Sequence, residues 1–584
     1  MPDREPTRIG RVRHVLGAQV TVALDDDLAG VAPIYRGQLQ QVGQIGSLVR
    51  IPQGLVDLIG QVSLVGIAEL SGSAPPVDVV QTGERWLQVQ LLGEVRQASG
   101  RLERGIGSYP GLDDPVHFAT VADLEAVFPP AGSDHLQVGR LSASDQIGLS
   151  LKASRLITRH SAIVGSTGSG KTSAVSSLLQ SFARQGWGAA NIVVIDPHGE
   201  YSLALADEAS VLSVMGEKPG DGLQVPFWAL PALDILELFS GVSGGTGVRS
   251  RFEELVLQGR REFAEEAEWL VLAPEAVTAD TPVPFDLRNV WHTLDWENRE
   301  TRDVKTDPGT ACSEDDGDSA SLTPASFRPY GAGGSAPYKG PLHGAYGNVP
   351  ELLRLGLADP RLSFFQEPAG GSAGPDPLVG AITSWLGRDK PVSVLDFSGV
   401  PARAGELAVG VVLGLLFEVA VRTPQGESGI GRPRPVLVVL EEAHRYLGTG
   451  AADQASVAAN RLAREGRKYG VGLMLVTQRP SELPDTALSQ CGTLISLRLT
   501  NSTDQARIGA ALPDEVAGLA QILPSLRTGE AIISGEAVTL PSRVLLDPPD
   551  PWPQAEDASL ASWRRDATVP DLVDALAGWR EAYQ

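Results

Sequence analysis

The sequence predicts an α/β protein in which a parallel sheet flanked by helices follows a small β-barrel and is interrupted by a helical insertion. Residues 9–95 contain short apolar runs separated by glycines, a pattern typical of a small barrel. Residues 161–196 run strand, helix, strand, which is the repeating unit of a parallel sheet. Helical patterns then occupy residues 230–294, and buried strands resume at residue 392. One sheet is therefore expected from two separated stretches of the chain.

The order of elements follows from apolar periodicity. In the barrel, Val20, Val22 and Leu24 alternate with small or polar residues, and further strands are expected at 47–51, 58–67 and 86–95. The core strands are expected at 161–164, 192–196, 392–397, 436–440, 471–477, 493–499 and, as the last strand, 531–534. Helices are expected at 171–185, 349–365, 406–421 and 455–469, with a weak helix in the tail at 571–583.

These elements divide the chain into five parts. We expect a barrel domain at 1–137, a first part of the core at 138–229, a helical insertion at 230–385 with an irregular or mobile segment at 298–347, a second part of the core at 386–546, and a tail at 547–584.

Composition narrows the classes of function. The 584 residues are too many for one compact core, so several domains are expected. The net charge of −23 excludes a protein that coats nucleic acid with its whole surface. If the protein handles DNA, its positive charge must be confined to a small internal surface.

Cysteine count and apolar runs bear on location. Cys312 and Cys491 are the two cysteines, too few for a disulfide framework or a four-cysteine zinc site. The first ten residues contain no apolar run of the kind found in signal peptides. The longest apolar stretch, 406–418, is shorter than the ~20 residues needed to span a bilayer. A cytoplasmic protein without a membrane anchor is the expectation.

The strongest motif is a phosphate-binding loop between the strand at 161–164 and the helix after it. It matches G-x-x-x-x-G-K-[ST] in full, with Gly165, Ser166, Thr167, Gly168, Ser169, Gly170, Lys171 and Thr172. Its glycines let successive backbone N–H groups point at one anion, and the helix N-terminus adds positive potential. Lys171 is expected to reach the β- and γ-phosphates, and the Thr172 hydroxyl to bind Mg²⁺.

Two carboxylates end the apolar strand at 436–440. In enzymes with this loop, the acid that holds Mg²⁺ lies at the tip of a neighbouring strand. Glu441 is expected to hold Mg²⁺, directly or through water, although this position is more often Asp. Glu442 is expected to orient or deprotonate the attacking water. The plainer alternative is a solvated, charged end of the strand.

Polar and basic residues surround the strand at 471–477. Gln478, at its tip, is a candidate to lie between the γ-phosphate and the water, the alternative being a turn-forming amide. Before the strand, Arg461, Arg464 and Arg467 recur every third residue and share one helical face. This face is either solvated or carries an arginine finger for a neighbouring subunit's ATP, a role worth about 10³–10⁵ in rate.

Together these motifs resemble the HerA family of the HerA/FtsK group of hexameric DNA-pumping ATPases. The resemblance rests on the phosphate-binding loop, the string DPHGEY from Asp196, EEAH from Glu441 and TQRP from Thr477. It implies a RecA-like P-loop NTPase core that binds ATP and Mg²⁺, with Glu442 as catalytic glutamate and Gln478 as γ-phosphate sensor. It also implies a trans-acting arginine at Arg467 and, less specifically, at Arg159. His198 and His444 are expected to serve packing and local hydrogen bonding.

The sequence supports two main hypotheses about function. The resemblance implies a homo-hexameric ATPase that translocates double-stranded DNA through a central channel, with either a NurA-like nuclease or a sirtuin-like or other defence effector as partner. A nuclease partner would place the protein in DNA repair, and a defence effector would place it in anti-phage defence. The alternative is an ATP-dependent scaffold that assembles an effector with little translocation. A transporter is disfavoured because no LSGGQ signature and no N-terminal membrane span is visible.

Overall fold

The structure is a computed structural model of the 584-residue chain. It describes residues 7–26, 28, 34–35, 38–39, 44–67, 85–96, 100–128, 132–214, 222–365, 374–387, 389–400, 402–423, 429–448, 454–512, 517–553, 572–573, 576–577 and 580. Most residues of the weak helix expected at 571–583 lie outside the described residues.

The strands run in chain order as follows: β1 Arg8–Leu16, β2 Gln19–Leu24, β3 Ile34–Tyr35, β4 Gln38–Leu39, β5 Leu48–Gln53, β6 Val56–Ile67, β7 Arg85–Arg96, β8 Leu102–Arg104, β9 Pro115–Phe118, β10 His135–Leu141, β11 Ser144–Lys152, β12 Ser161–Val164, β13 Asn191–Asp196, β14 Ala209–Ser213, β15 Thr301–Arg302, β16 Ser313–Asp315, β17 Ser326–Phe327, β18 Tyr338–Lys339, β19 Val392–Asp396, β20 Val436–Leu440, β21 Val471–Thr477, β22 Thr493–Ser496, β23 Glu530–Gly535 and β24 Ser542–Leu546.

The helices are α1 Val121–Val127, α2 Ala153–Thr158, α3 Lys171–Arg184, α4 Ala232–Ser240, α5 Thr246–Glu266, α6 Leu287–Arg299, α7 Val349–Leu357, α8 Pro377–Trp385, α9 Ala402–Arg422, α10 His444–Leu447, α11 Gln454–Tyr469, α12 Asp485–Gln490, α13 Ser502–Ala511 and α14 Ala517–Ala520.

The N-terminal strands form a closed antiparallel barrel. The order is β2-β1-β9-β5-β6-β7, β7 also pairs with β2 to close the ring, and β8 extends from β7. Inward residues such as Ile9, Val20 and Leu58 are fully buried because side chains alternate along each strand. The predicted small barrel is confirmed.

The core is an eleven-stranded mixed sheet in the order β11-β10-β24-β23-β22-β12-β21-β20-β13-β19-β14. The seven strands from β22 to β14 are parallel, and β23, β24, β10 and β11 continue the sheet antiparallel at one edge. The fold is a RecA-like P-loop core. The parallel strands carry the phosphate loop, DPHGEY, EEAH and TQRP at their carboxyl ends, so all four motifs meet at one edge.

One strand prediction was wrong. The strand at 531–534 was expected to be the last, but β24 follows it and pairs with both β23 and β10. The sequence pattern does not reveal β24 because the strand is short and contains the charged residue Arg543. In the structure Arg543 neutralises the buried Glu530 through two hydrogen bonds of 2.7 and 3.0 Å.

The insertion lies between β14 and β19 and is mainly helical, from α4 to α8. Its residues 298–347 consist of turns with two short antiparallel pairs, β15 with β18 and β16 with β17. Arg260 of α5 is fully buried near the charge of Asp280, and its guanidinium donates to the carbonyls of Trp228, Leu230 and Ala279. This arginine ties α5 to the start of the insertion.

The barrel and the core share contacts along the segment that leads into β24. Gln61 donates to the Pro541 carbonyl at 3.2 Å, and Arg104 donates to the carbonyls of Thr539 and Val538, each at 2.8 Å. Position 137, proposed as the end of the barrel domain, falls inside β10, a strand of the core sheet. A barrel deletion should therefore begin before His135.

Helix α9 is, among the described residues, the one helix long and apolar enough to cross a membrane, and 61% of its most apolar window is buried inside the fold. It packs against α11 on one side of the core sheet.

Candidate active site

The phosphate loop has the backbone shape that its sequence predicts. It leaves β12, and Gly168 and Gly170 take left-handed φ values of +72° and +95°. A Cβ at Gly165 would lie 2.4 Å from the Ser169 hydroxyl, so this position also requires glycine. Gly529 supports the loop from outside, donating its N–H to the Ser169 carbonyl at 3.2 Å.

Lys171 begins α3 and lies among three carboxylates. Burial lowers the pKa of its ammonium, and the charges of Glu441, Glu442 and Glu200 oppose that shift. One cation therefore faces three acidic side chains, so the electrostatics of the site favour the binding of further positive charge.

Glu200 is the residue that sequence reasoning missed. The Thr172 hydroxyl donates to its carboxylate at 2.7 Å, so Glu200, rather than Glu441, directly contacts the predicted Mg²⁺ ligand Thr172. The signal was present in the DPHGEY string at the end of β13.

Asp196 explains how Glu200 is placed. Its carboxylate accepts the backbone N–H groups of His198, Gly199 and Tyr201 at 2.9–3.1 Å, which closes a tight turn after β13. Burial raises the pKa of Asp196, and these hydrogen bonds oppose the rise. Asp196 thus shapes the loop, whereas Glu200 faces the site and His198 is exposed.

Glu441 is held away from solvent by Tyr201. The Tyr201 hydroxyl donates to Glu441 at 2.6 Å, and both side chains are buried. Burial raises the pKa of Glu441 to about 8, the Tyr201 hydrogen bond opposes the rise, and the charge of Glu442 adds to it. A carboxyl that prefers its proton is a poor direct metal ligand, which favours the water-mediated version of the expected role.

Glu442 has a strained backbone at the tip of β20. Its φ of +50° is rare for a residue with a side chain, and such strain is concentrated at functional sites. Its carboxylate lies 3.2 Å from Nδ1 of His444, and that nitrogen is also 3.0 Å from the Thr477 hydroxyl. His444 therefore has the local hydrogen-bonding place expected for it.

Gln478 joins the loop to the catalytic candidate. Its amide nitrogen donates to Glu442 at 3.1 Å, and its amide oxygen accepts from the Thr167 hydroxyl at 2.7 Å. Three motifs separated by up to 311 residues in sequence thus meet through one side chain. A second unforeseen neighbour is Arg498, which donates to the Gly168 carbonyl at 3.1 Å.

The candidate arginines have different surroundings. Arg461 pairs with Glu418 and lies over the ring of Phe417, so it serves the contact between α11 and α9. Arg464 and Arg467 are exposed and form no hydrogen bond or ion pair with the described residues. Arg159 is half-buried and pairs with Glu536 at 3.5 Å.

Family models decide the relationship. The model of the HerA helicase central domain matches residues 136–416, and that of the HerA-like helicase C-terminal domain matches residues 391–548. The chain belongs to the HerA helicase family. It is accordingly an ATPase of the helicase class.

Relatives of HerA type match over most of the chain. A probable helicase of Methanocaldococcus jannaschii is 26% identical over 495 residues, 82% of each protein. The DNA double-strand break repair helicase HerA of Pyrococcus furiosus is 25% identical over 446 residues, 71% of this chain and 69% of the relative. Among solved structures, VirB4 of Thermoanaerobacter pseudethanolicus matches with a TM-score of 0.43 and 15% identity, covering 71% of this chain and 97% of that one.

Proposed function

We propose that this HerA-type protein is a homo-hexameric motor that uses ATP hydrolysis to translocate double-stranded DNA through a central channel. The observation that carries the proposal is Gln478, which contacts both Thr167 of the phosphate loop and Glu442. A γ-phosphate bound in that loop would lie next to this pair of hydrogen bonds. Nucleotide state is then communicated directly to the side chain that activates water.

Binding of ATP would use the loop residues from Gly165 to Thr172. Backbone N–H groups and Lys171 hold the phosphates. The Thr172 hydroxyl and the Glu200 carboxylate are hard oxygen ligands in contact with each other, so they fit Mg²⁺, with Glu441 acting through water. Held by these residues, Mg²⁺ would neutralise part of the negative charge that develops on the phosphates during hydrolysis.

Hydrolysis would use Glu442 to orient and deprotonate water and Gln478 to sense the γ-phosphate. Arg467 is exposed without an intramolecular partner in the described fold, so it is free to enter the nucleotide site of an adjacent subunit. There a guanidinium would stabilise charge on the transferred phosphoryl group. This arrangement requires an adjacent subunit, which a closed ring supplies to every site. The net charge of −23 then implies that the basic surface facing DNA is a small part of the whole.

The barrel is proposed to dock the partner. Leu16, Leu55, Tyr109 and Leu112 are all exposed, at 66%, 79%, 55% and 70%. They share one end of the barrel, because the loop ending at Asp114 bonds to Val12 on one side and to Gln53 on the other. An apolar patch of this kind is typical of a protein-binding surface.

The partner is proposed to be a NurA-like nuclease or a sirtuin-like or other defence effector, and the setting is the cytoplasm. Several HerA relatives are named DNA double-strand break repair helicases, which favours DNA end processing over anti-phage defence. Identity of the neighbouring reading frame would separate these two roles.

The test is ATP hydrolysis with and without linear double-stranded DNA. We expect DNA to stimulate turnover of the wild-type protein, and Glu442→Gln to bind ATP without turnover in either condition. Displacement of a triplex-forming strand ahead of the motor reports movement directly. ATP-dependent ring assembly with neither DNA stimulation nor displacement would replace the motor with the scaffold.

A further inference from the structure

His160 is a buried residue that the proposed reaction does not use. It lies at the turn between α2 and β12, is 3% exposed, and has a left-handed φ of +47°. Few residues other than glycine, asparagine, aspartate and histidine adopt that conformation readily. The turn is fixed from outside, since the carbonyls of Arg159 and His160 both accept the N–H of Gly492, at 2.7 and 3.0 Å.

The imidazole joins two elements of the core. On one side, Nδ1 accepts the N–H of Leu473 in β21 at 2.9 Å. On the other side the ring packs against α11, where a Cβ added at Gly466 would lie 3.5 Å from its Cε1 atom. Burial lowers the pKa of His160 to about 4, so the ring is neutral and Nδ1 is free to accept.

Two candidate arginines lie next to these contacts. Arg159 directly precedes His160, and Arg467 directly follows Gly466 on α11. The charge of Arg467 also contributes to the lowered pKa of His160, which places that arginine near the ring. One side chain therefore sits where both arginine-bearing elements meet.

We infer that His160 is a positioning residue that holds Arg159 and Arg467 in register for the nucleotide site of the adjacent subunit. The inference rests on the proposed function, because it presupposes hydrolysis across a subunit boundary. The competing role lies within the subunit, because Leu473 belongs to the strand that ends beside Gln478. In that case the ring would support the sensor of its own site.

Mixing of inactive variants separates the two roles. Each hydrolytic interface needs an intact Glu442 from one subunit and an intact arginine side from the next. If His160 acts on the arginine side, His160→Ala mixed with Glu442→Gln regains activity, whereas His160→Ala mixed with Arg467→Ala does not. If it acts within its own site, the outcome reverses. The reference mixture of Arg467→Ala with Glu442→Gln tests the proposed function itself, so its failure is distinguishable from failure of the inference.

Single variants supply the second measurement. We expect His160→Ala to keep the nucleotide affinity of the wild-type protein and lose about 10²-fold in kcat, the loss typical of a 1 Å misplacement. His160→Asn tolerates the left-handed backbone and places an acceptor where Nδ1 lies, but it lacks the ring that contacts α11. Its kcat should fall less than that of His160→Ala, and it should regain activity with the same partner variant as His160→Ala.

His160→Asn also takes the place of His160→Ala in every mixture if the alanine variant does not assemble. A wild-type kcat for His160→Asn would overturn the inference, because the contact with α11 would then be dispensable. So would restoration of activity with Arg467→Ala instead of Glu442→Gln.

Discussion

Replacement of Glu441 by glutamine should remove a pH-dependent loss of stability. The pKa of Glu441 is raised in the folded protein, so between its unfolded and folded values the native state holds a proton that the unfolded chain has released. The stability that protonated Glu441 contributes is fully present below its pKa in the unfolded chain, and it is lost as the pH rises through its pKa in the folded protein. Glutamine mimics the protonated carboxyl and can still accept from Tyr201.

The magnitude follows from the shift. From 4.5 to about 8 is 3.5 units, which at 1.36 kcal/mol per unit gives an upper limit of about 5 kcal/mol. Most of it should develop between pH 5 and 8 in nucleotide-free protein. Relative to Glu441→Gln, the wild-type protein should therefore become progressively less stable over that range.

Urea unfolding of the core at pH 5, 6.5 and 8, followed by tryptophan fluorescence, measures this difference. Glu265→Gln, at an exposed position of α5, is the matched control and should parallel the wild-type protein at every pH. Parallel behaviour of Glu441→Gln would refute the reasoning, because Glu441 would then be ionised in the folded protein and available to bind Mg²⁺ directly.

Further substitutions divide the site by role. Lys171→Ala should abolish nucleotide binding in calorimetry. Glu442→Gln should bind nucleotide but not hydrolyse it. Full turnover by Glu442→Gln would assign activation of the water to another residue, with Glu441 the first candidate. Glu200→Gln should raise the Mg²⁺ concentration needed for tight ADP binding about tenfold and leave Mg²⁺-free binding unchanged. Unchanged Mg²⁺ dependence would remove Glu200 from the metal's surroundings. Arg260→Met should lower the urea midpoint of the core, because three carbonyls lose a donor at about 1–3 kcal/mol each.

Motifs with a fixed spacing could be predicted well from the sequence. The phosphate loop needs glycine at positions of positive φ, so its pattern determines its shape almost completely, and Gly168 and Gly170 take the expected conformation. Apolar strands with polar tips likewise predicted that Glu442 and Gln478 would lie at one edge of the sheet. Parallel strands bring their carboxyl ends together wherever they fall in the chain.

Contacts between distant polar residues could not be predicted in the same way. The Tyr201 hydroxyl reaches Glu441 across 240 residues of sequence, and nothing in either local pattern specifies that pairing. The raised pKa of Glu441 results from the burial of its carboxyl, so it could not be predicted from the sequence either. Strand β24 was missed for a related reason, because its Arg543 is neutralised by the buried Glu530 of another strand, β23.

The central claim is that each ATP is hydrolysed between two subunits, and mixing of two inactive variants tests it most directly. Arg467→Ala should bind ATP and form rings but hydrolyse poorly, as should Glu442→Gln. Rings assembled from both should regain hydrolysis over a range of ratios, since some interfaces then combine an intact glutamate with an intact arginine. Mixed rings without any regained activity, or an isolated monomer with full ATPase activity, would contradict the account.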